Sequence, residues 1–134
     1  MNTRRMIAAA ALAAIAGSLV PGAAYAAGPD QPNPNCKLVA GRATESVDIV
    51  SGSGRAVIRR GCGTDTILVK IERSRWFGWE EVARKVATDV GRDYRVTYDC
   101  TGTGTHDYRI EVMPQATPQF AVSSSPLKGV TCSR

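Results

Sequence analysis

Imidazole chemistry in this chain can come from one residue only, His106, because the sequence holds no other histidine. A Ser-His-Asp or Cys-His unit needs that ring beside a nucleophile, with a third group to orient it. Asp107 is adjacent, and neighbouring residues on a strand point to opposite faces. No Gly-x-Ser-x-Gly elbow is present. A secreted ribonuclease would need a histidine, a carboxylate and an arginine around a phosphate. His106, Glu111 and Arg109 are the candidates, but His106 and Glu111 have opposite strand parity and match no microbial ribonuclease motif. Thr101-Gly102-Thr103-Gly104-Thr105 lacks the Gly-Lys-Ser/Thr ending of a phosphate loop and reads as a hairpin turn. His106 therefore reads as a polar residue at a hairpin end, no catalytic residue is assigned, and no cofactor is expected.

The densest group of contact-making side chains is Arg73-Ser74-Arg75-Trp76-Phe77-Gly78-Trp79. It holds both tryptophans, one of the two phenylalanines and two arginines. Gly78 suggests a turn. Trp76 and Trp79 have opposite strand parity, so an unbroken strand would bury at most one. An exposed tryptophan flanked by arginine can stack on sugars, bases or peptide groups, or anchor a protein partner. The competing reading puts one tryptophan in the core and leaves the arginines to solvate the turn. Arg73, Arg75, Trp76, Phe77 and Trp79 are the candidate binding residues.

Cys36, Cys62, Cys100 and Cys132 are spaced by 26, 38 and 32 residues. Zinc sites need closely spaced ligand pairs such as Cys-x-x-Cys, so no metal is expected. An even count in a small exported domain reads as two disulfides. Four cysteines allow three pairings. Cys36–Cys62 with Cys100–Cys132 is favoured, since each bridge then joins the ends of a local β segment. The rival is Cys62–Cys100 with Cys36–Cys132, because Tyr98-Asp99-Cys100 and an intervening tryptophan are reminiscent of the immunoglobulin inter-sheet pin.

Export is read from the first 26 residues. Arg4 and Arg5 form a basic start, residues 7–20 an apolar run, and Ala24-Tyr25-Ala26 a signal-peptidase site. The run is shorter than the ~20 residues that span a bilayer. Thr3-Arg4-Arg5-Met6-Ile7 weakly resembles a twin-arginine motif. Removing 26 of the 134 residues leaves 108, one small domain. Arg4 and Arg5 take two of the 17 cations, leaving 15 against 12 acids, a net charge of +3. That is too mild for a dedicated nucleic-acid binder. The expectation is a secreted, extracellular protein with no membrane contact after cleavage.

These side chains need a scaffold. Residues 27–35 carry three prolines and read as a flexible leader, followed by one domain over 36–134. Strand-like runs recur at 36–40, 46–50 (closed by Ser51-Gly52-Ser53-Gly54), 55–60, 66–73, 94–100 and 108–112, with weak strands at 120–122 and 130–132. Alternation puts Ile67, Val69, Ile71, Val96, Tyr98, Ile110 and Val112 inward. The reading is an all-β, immunoglobulin-like sandwich of about seven strands. Residues 79–90 leave an alternative. Trp79, Val82, Ala83, Val86, Ala87 and Val90 form a helical stripe, and Glu80/Arg84 and Glu81/Lys85 are favourable i,i+4 pairs. That would give an α+β fold with one helix. The short Phe77-Gly78 connection instead suits a hairpin.

Gly61 to Arg73 in sequence, then Arg75-Trp76-Phe77-Gly78-Trp79-Glu80-Glu81-Val82-Ala83, then Tyr98-Asp99-Cys100-Thr101-Gly102-Thr103-Gly104-Thr105-His106-Asp107-Tyr108-Arg109 resemble uncharacterised small secreted proteins of actinobacteria. The likeness spans most of residues 36–132, carries no known activity and implies an all-β sandwich. The Gly-Cys and alternating-strand piece is also similar to secreted α-amylase inhibitors of the tendamistat type, which have two sequential disulfides. Those present a Trp-Arg-Tyr triplet in the turn between the first two cysteines; here Ser51-Gly52-Ser53-Gly54 stands in that region, so the inhibitory residues are missing. The sequence thus favours a non-enzymatic binding or inhibitor-type domain acting through 73–79 on an extracellular protein or cell-surface polymer. A small secreted hydrolase and a passive extracellular structural protein are the alternatives.

Overall fold

The computed structural model describes residues 34–133. The expected signal peptide at 1–26 and most of the leader at 27–35 lie outside the described residues. Nine strands follow in order: β1 (Lys37–Ala40), β2 (Thr44–Ser46), β3 (Ile49–Ile58), β4 (Ile67–Arg75), β5 (Gly78–Ala87), β6 (Tyr94–Asp99), β7 (Gly104–Pro114), β8 (Val122–Ser123) and β9 (Leu127–Cys132). Seven have four residues or more; β2 and β8 are short pieces on sheet edges. All neighbours are antiparallel. In the first sheet β6 flanks one edge of β3, and β1 and β2 lie end to end on the other. The second runs β5-β4-β7, with β8 and β9 end to end on the far edge of β7. β1-β3-β6 against β5-β4-β7-β9 is the A-B-E and C′-C-F-G order of immunoglobulin-like sandwiches.

The core lies between the sheets. Ile67, Val69 and Ile71 of β4 and Tyr108, Ile110 and Val112 of β7 are fully buried, and Val96 nearly so; Tyr98 is half-buried against them. β3 supplies small residues in return: Val50, Gly52, Gly54 and Ala56 are buried. A Cβ on Gly52 would come within 2.5 Å of Ile110 Cδ1, and one on Gly54 would overlap Val112 Cγ2. The glycines let bulky residues of the facing sheet close onto β3. Ser51-Gly52-Ser53-Gly54 is therefore mid-strand, not a turn. The turn is Val47-Asp48, both left-handed with φ 50° and 62°, in place of the expected strand at 46–50. Two left-handed residues match the twist of a two-residue hairpin. The turn between the first two cysteines still carries no aromatic.

Residues 79–90 do not form a helix. The two-residue turn Trp76-Phe77 sends the chain straight back along β4 as β5. Ile71 pairs with Ala83 and Glu72 with Glu81, so Val82 is an extra residue, a β-bulge. The bulge changes the parity of the strand: Trp79, Glu81, Arg84 and Val86 share the outer side, while Ala83 and Ala87 face β4's inward residues. The apolar residues that read as one helical stripe are therefore split between the two sides of the strand, Trp79 and Val86 outside and Ala83 and Ala87 inside, and the bulge brings only Glu81 and Arg84 together at i,i+3. Nor is residues 101–105 a hairpin loop. β6 and β7 belong to different sheets, and the segment is the corner between them, held by the Thr103 hydroxyl donating to Cys100 O at 2.6 Å.

Both favoured disulfides are present, and the rival pairing is not. Cys36–Cys62 ties the entry to β1 to the loop after β3. Cys100–Cys132 ties the end of β6 in one sheet to the end of β9 in the other.

Candidate binding site at the β4–β5 hairpin

β4 and β5 present the Arg73–Trp79 run as a rigid hairpin. Arg75 pairs with Gly78, leaving Trp76 and Phe77 as the turn. Gly78 takes φ 131°, and nothing lies within 4 Å of where its Cβ would sit; glycine serves the backbone angle, not a tight fit. Arg73 and Glu80 face each other across the strands. The Glu80 carboxylate accepts from Arg73 Nη2 at 2.7 Å and from Arg75 Nη1 at 2.8 Å. Arg73, with help from Arg75, holds that carboxyl below its ordinary value, and Glu80 in turn raises Arg73. Arg73 also donates from Nη1 to the Tyr98 hydroxyl at 3.4 Å, fastening the hairpin to β6 of the other sheet. Two guanidiniums share one carboxylate, so the base of the turn keeps one positive charge.

The structure divides the five sequence-predicted residues into two groups. Trp76 is 92% exposed and Phe77 57%. Their rings meet edge to face, centroids 5.3 Å apart, and the Arg75 guanidinium lies 5.6 Å from the Phe77 centroid. Arg75, Trp76 and Phe77 thus form an aromatic–cationic tip. Arg73 and Trp79 belong to the sheet. Trp79 is half-buried on the outer face of the second sheet, with the Arg109 guanidinium 4.4 Å from the ring centroid. Neither tryptophan fills the space between the sheets.

His106 sits behind the hairpin. Its Nδ1 is 3.0 Å from Ser74 O and its Nε2 3.0 Å from Thr103 O. Carbonyls only accept, so imidazolium makes both bonds and a neutral tautomer makes one. Asp107 turns to other partners: its carboxylate accepts from Gly129 N at 2.8 Å and lies 3.7 Å from Lys128 Nζ. Arg109 and Glu111 are also engaged elsewhere, Arg109 with Glu72 at 2.7 Å and Glu111 with Lys70 at 3.1 Å.

Sequence reasoning missed this last lattice. Lys70 reaches Glu72, Glu81 and Glu111, and Arg84 grips Glu81 through two bonds of 2.6 and 3.0 Å. Burial pushes the Glu72 carboxyl up, against the bond from Arg109. Arg84 holds Glu81 down. The signal in the sequence was the charged phase of β4, Lys70 and Glu72, which reads as a solvated face but is buried. An open hollow of about 430 Å³ lies at the far end of β3, lined by Val57, Ile58, Arg59, Arg60, Asp65 and Val90, with Arg59 turned to Thr88 O and Asp65. No protein-family model and no curated protein matches the chain.

Proposed function

We propose that this is an exported, non-enzymatic binding domain that engages an extracellular protein or cell-surface polymer through Arg75, Trp76 and Phe77. One observation carries the reading: the largest apolar side chains at the hairpin tip project into solvent from a turn braced by a shared carboxylate. An exposed tryptophan contributes nothing to the core and offers large contact area with little entropy to lose, as interface anchors do. Edge-to-face packing presents a wedge, suited to a pocket on the partner, and the uncompensated cation at its base favours an acidic rim. Two disulfides suit an oxidising compartment. No helix among the described residues is long and apolar enough to cross a membrane. A secreted hydrolase would instead use His106, whose two ring nitrogens face backbone carbonyls.

The test compares Trp76→Ala, Arg75→Ala and His106→Ala in pull-downs from culture medium and in co-sedimentation with insoluble cell-wall material. Trp76 touches chiefly Phe77, so its truncation spares the fold. Loss of an interface anchor costs about 2 kcal/mol or more, roughly 30-fold in affinity. A partner retained equally by Trp76→Ala but lost by His106→Ala overturns the reading.

A further inference from the structure

β5 is a ten-residue strand with a free edge. It pairs with β4 on one side, and among the described residues no strand pairs with the other. Long free edges invite strand addition, and charge usually blunts them. Here the charges are arranged so that the strand complements itself. With the bulge at Val82, the outer side reads Trp79, Glu81, Arg84, Val86: apolar, acid, base, apolar. Read in the opposite direction, it is apolar, base, acid, apolar. Glu80 and Lys85 repeat the relation on the other side.

We propose that β5 is a homodimerisation edge, pairing antiparallel with β5 of a second copy about a twofold axis at Val82-Ala83. Glu81 then lies opposite Arg84 of the second copy, Glu80 opposite its Lys85, and Trp79 beside its Val86. Directly opposed unlike charges stabilise a strand pair and like charges destabilise it. The bulge is needed for this match: in a regular strand residues 81 and 84 would point to opposite faces. The register is specified as well. Sliding the copy two residues either way sets Glu81 against Glu81 or Arg84 against Arg84. Arg84, half-exposed, already holds Glu81 of its own strand at 2.6 Å, so the pair becomes an alternating quartet across the axis. The edge adjoins the hairpin tip through Glu80, which also holds Arg75, but it uses neither Trp76 nor Phe77. An edge-to-edge contact is small, below the ~1,200 Å² of stable complexes, so the dimer is weak and populated only at high concentration.

The experiment is sedimentation equilibrium of the disulfide-intact domain from micromolar to millimolar protein. The wild type shifts from monomer toward dimer, less so as salt rises. Glu81→Lys alone and Arg84→Glu alone each set like charges opposite one another twice per dimer, and each weakens association about tenfold or more. An equimolar mixture of the two variants restores it, because substituted position 81 of one chain faces substituted position 84 of the other. Each variant has lost its own Glu81–Arg84 bond, so repair within a chain cannot explain the rescue. If either variant fails to fold, Arg84→Ala, which adds no like charge, serves instead and weakens association at unchanged thermal stability. A wild type monomeric throughout, a dimer indifferent to the substitutions, or a mixture no better than its components overturns the proposal.

Discussion

Gly54→Ala measures how closely the sheets approach at the centre of β3. Elsewhere in a strand this substitution stabilises by roughly 0.5–1 kcal/mol, because alanine has less backbone entropy to lose. Here the new Cβ would overlap Val112 Cγ2 and press on Val39 O at 3.2 Å and Val69 Cγ1 at 3.3 Å. Val112 and Val69 are fully buried and β-branched, so neither can rotate away. Overpacking of this kind costs about 1–3 kcal/mol, which exceeds the gain. The expected net loss, about 1–2 kcal/mol, lowers the thermal midpoint of a domain this size by roughly 5–15 °C. Val112→Ala alone leaves a cavity and costs about 2 kcal/mol. In the double variant the methyl on residue 54 enters the space vacated by Val112, so the losses fall short of additive by about 1–2 kcal/mol. Circular dichroism melts of all four proteins under non-reducing conditions give the cycle. A Gly54→Ala melt at or above wild type, or strictly additive losses, would refute the close-approach argument.

Val69→Asp places an unpaired carboxylate between the sheets and should cost several kcal/mol; an unchanged melt would mean that Val69 does not face inward. Mass spectrometry of secreted, non-reduced material should show a chain starting near Ala27 with no alkylatable thiol, and a retained leader or four thiols would contradict export and stapling. Glu80, held below its ordinary value of 4.5, contributes stability that is present above that pH and lost as pH falls through its folded value. Glu72, raised from 4.5 by burial, has the opposite sign, its ionisation costing stability as pH rises. Melts between about pH 3 and pH 6 should therefore show a shallower acid limb in Glu80→Gln than in wild type. Iodide should quench Trp76 fully and Trp79, under Arg109, only in part; two equally protected tryptophans would place Trp76 elsewhere.

The inward residues of β4, β6 and β7 were legible because their alternation of apolar and polar side chains is local, although on β4 the polar phase is buried as well. Sequential disulfides followed, since each closes a local segment. What failed was local chemistry overruled by packing. Ser51-Gly52-Ser53-Gly54 has turn composition, but its glycines answer to Ile110 and Val112, some sixty residues away, which no local pattern reveals. Val47 was unreadable as a turn residue because a β-branched side chain rarely accepts positive φ. At the site, residue type located the aromatic run and Gly78 its turn; the parity argument supposed an unbroken strand, whereas Trp76 stands in the turn and only Trp79 lies on a strand. Neither could show that Trp79 would lie under Arg109, a contact made across β4 from β7. The outer lattice of Lys70, Glu72, Glu81 and Glu111 was hidden for the same reason: its members meet across three strands.

The two sequential bridges also divide the chain by what a protease or a pulling force can do to it. A single cut inside 36–62 or 100–132 leaves both fragments covalently attached, whereas one between Cys62 and Cys100 parts the molecule into two crosslinked halves. That middle stretch contains β4, whose inner residues are fully buried, β5 with the aromatic turn, and β6. Tension applied between Cys36 and Cys132 finds only this stretch extensible, about 130 Å at full extension against about 330 Å for the unbridged chain. The hairpin that displays Trp76 and Phe77 thus lies within the one stretch on which the chain's integrity depends and into which a pull between the outer cysteines is directed.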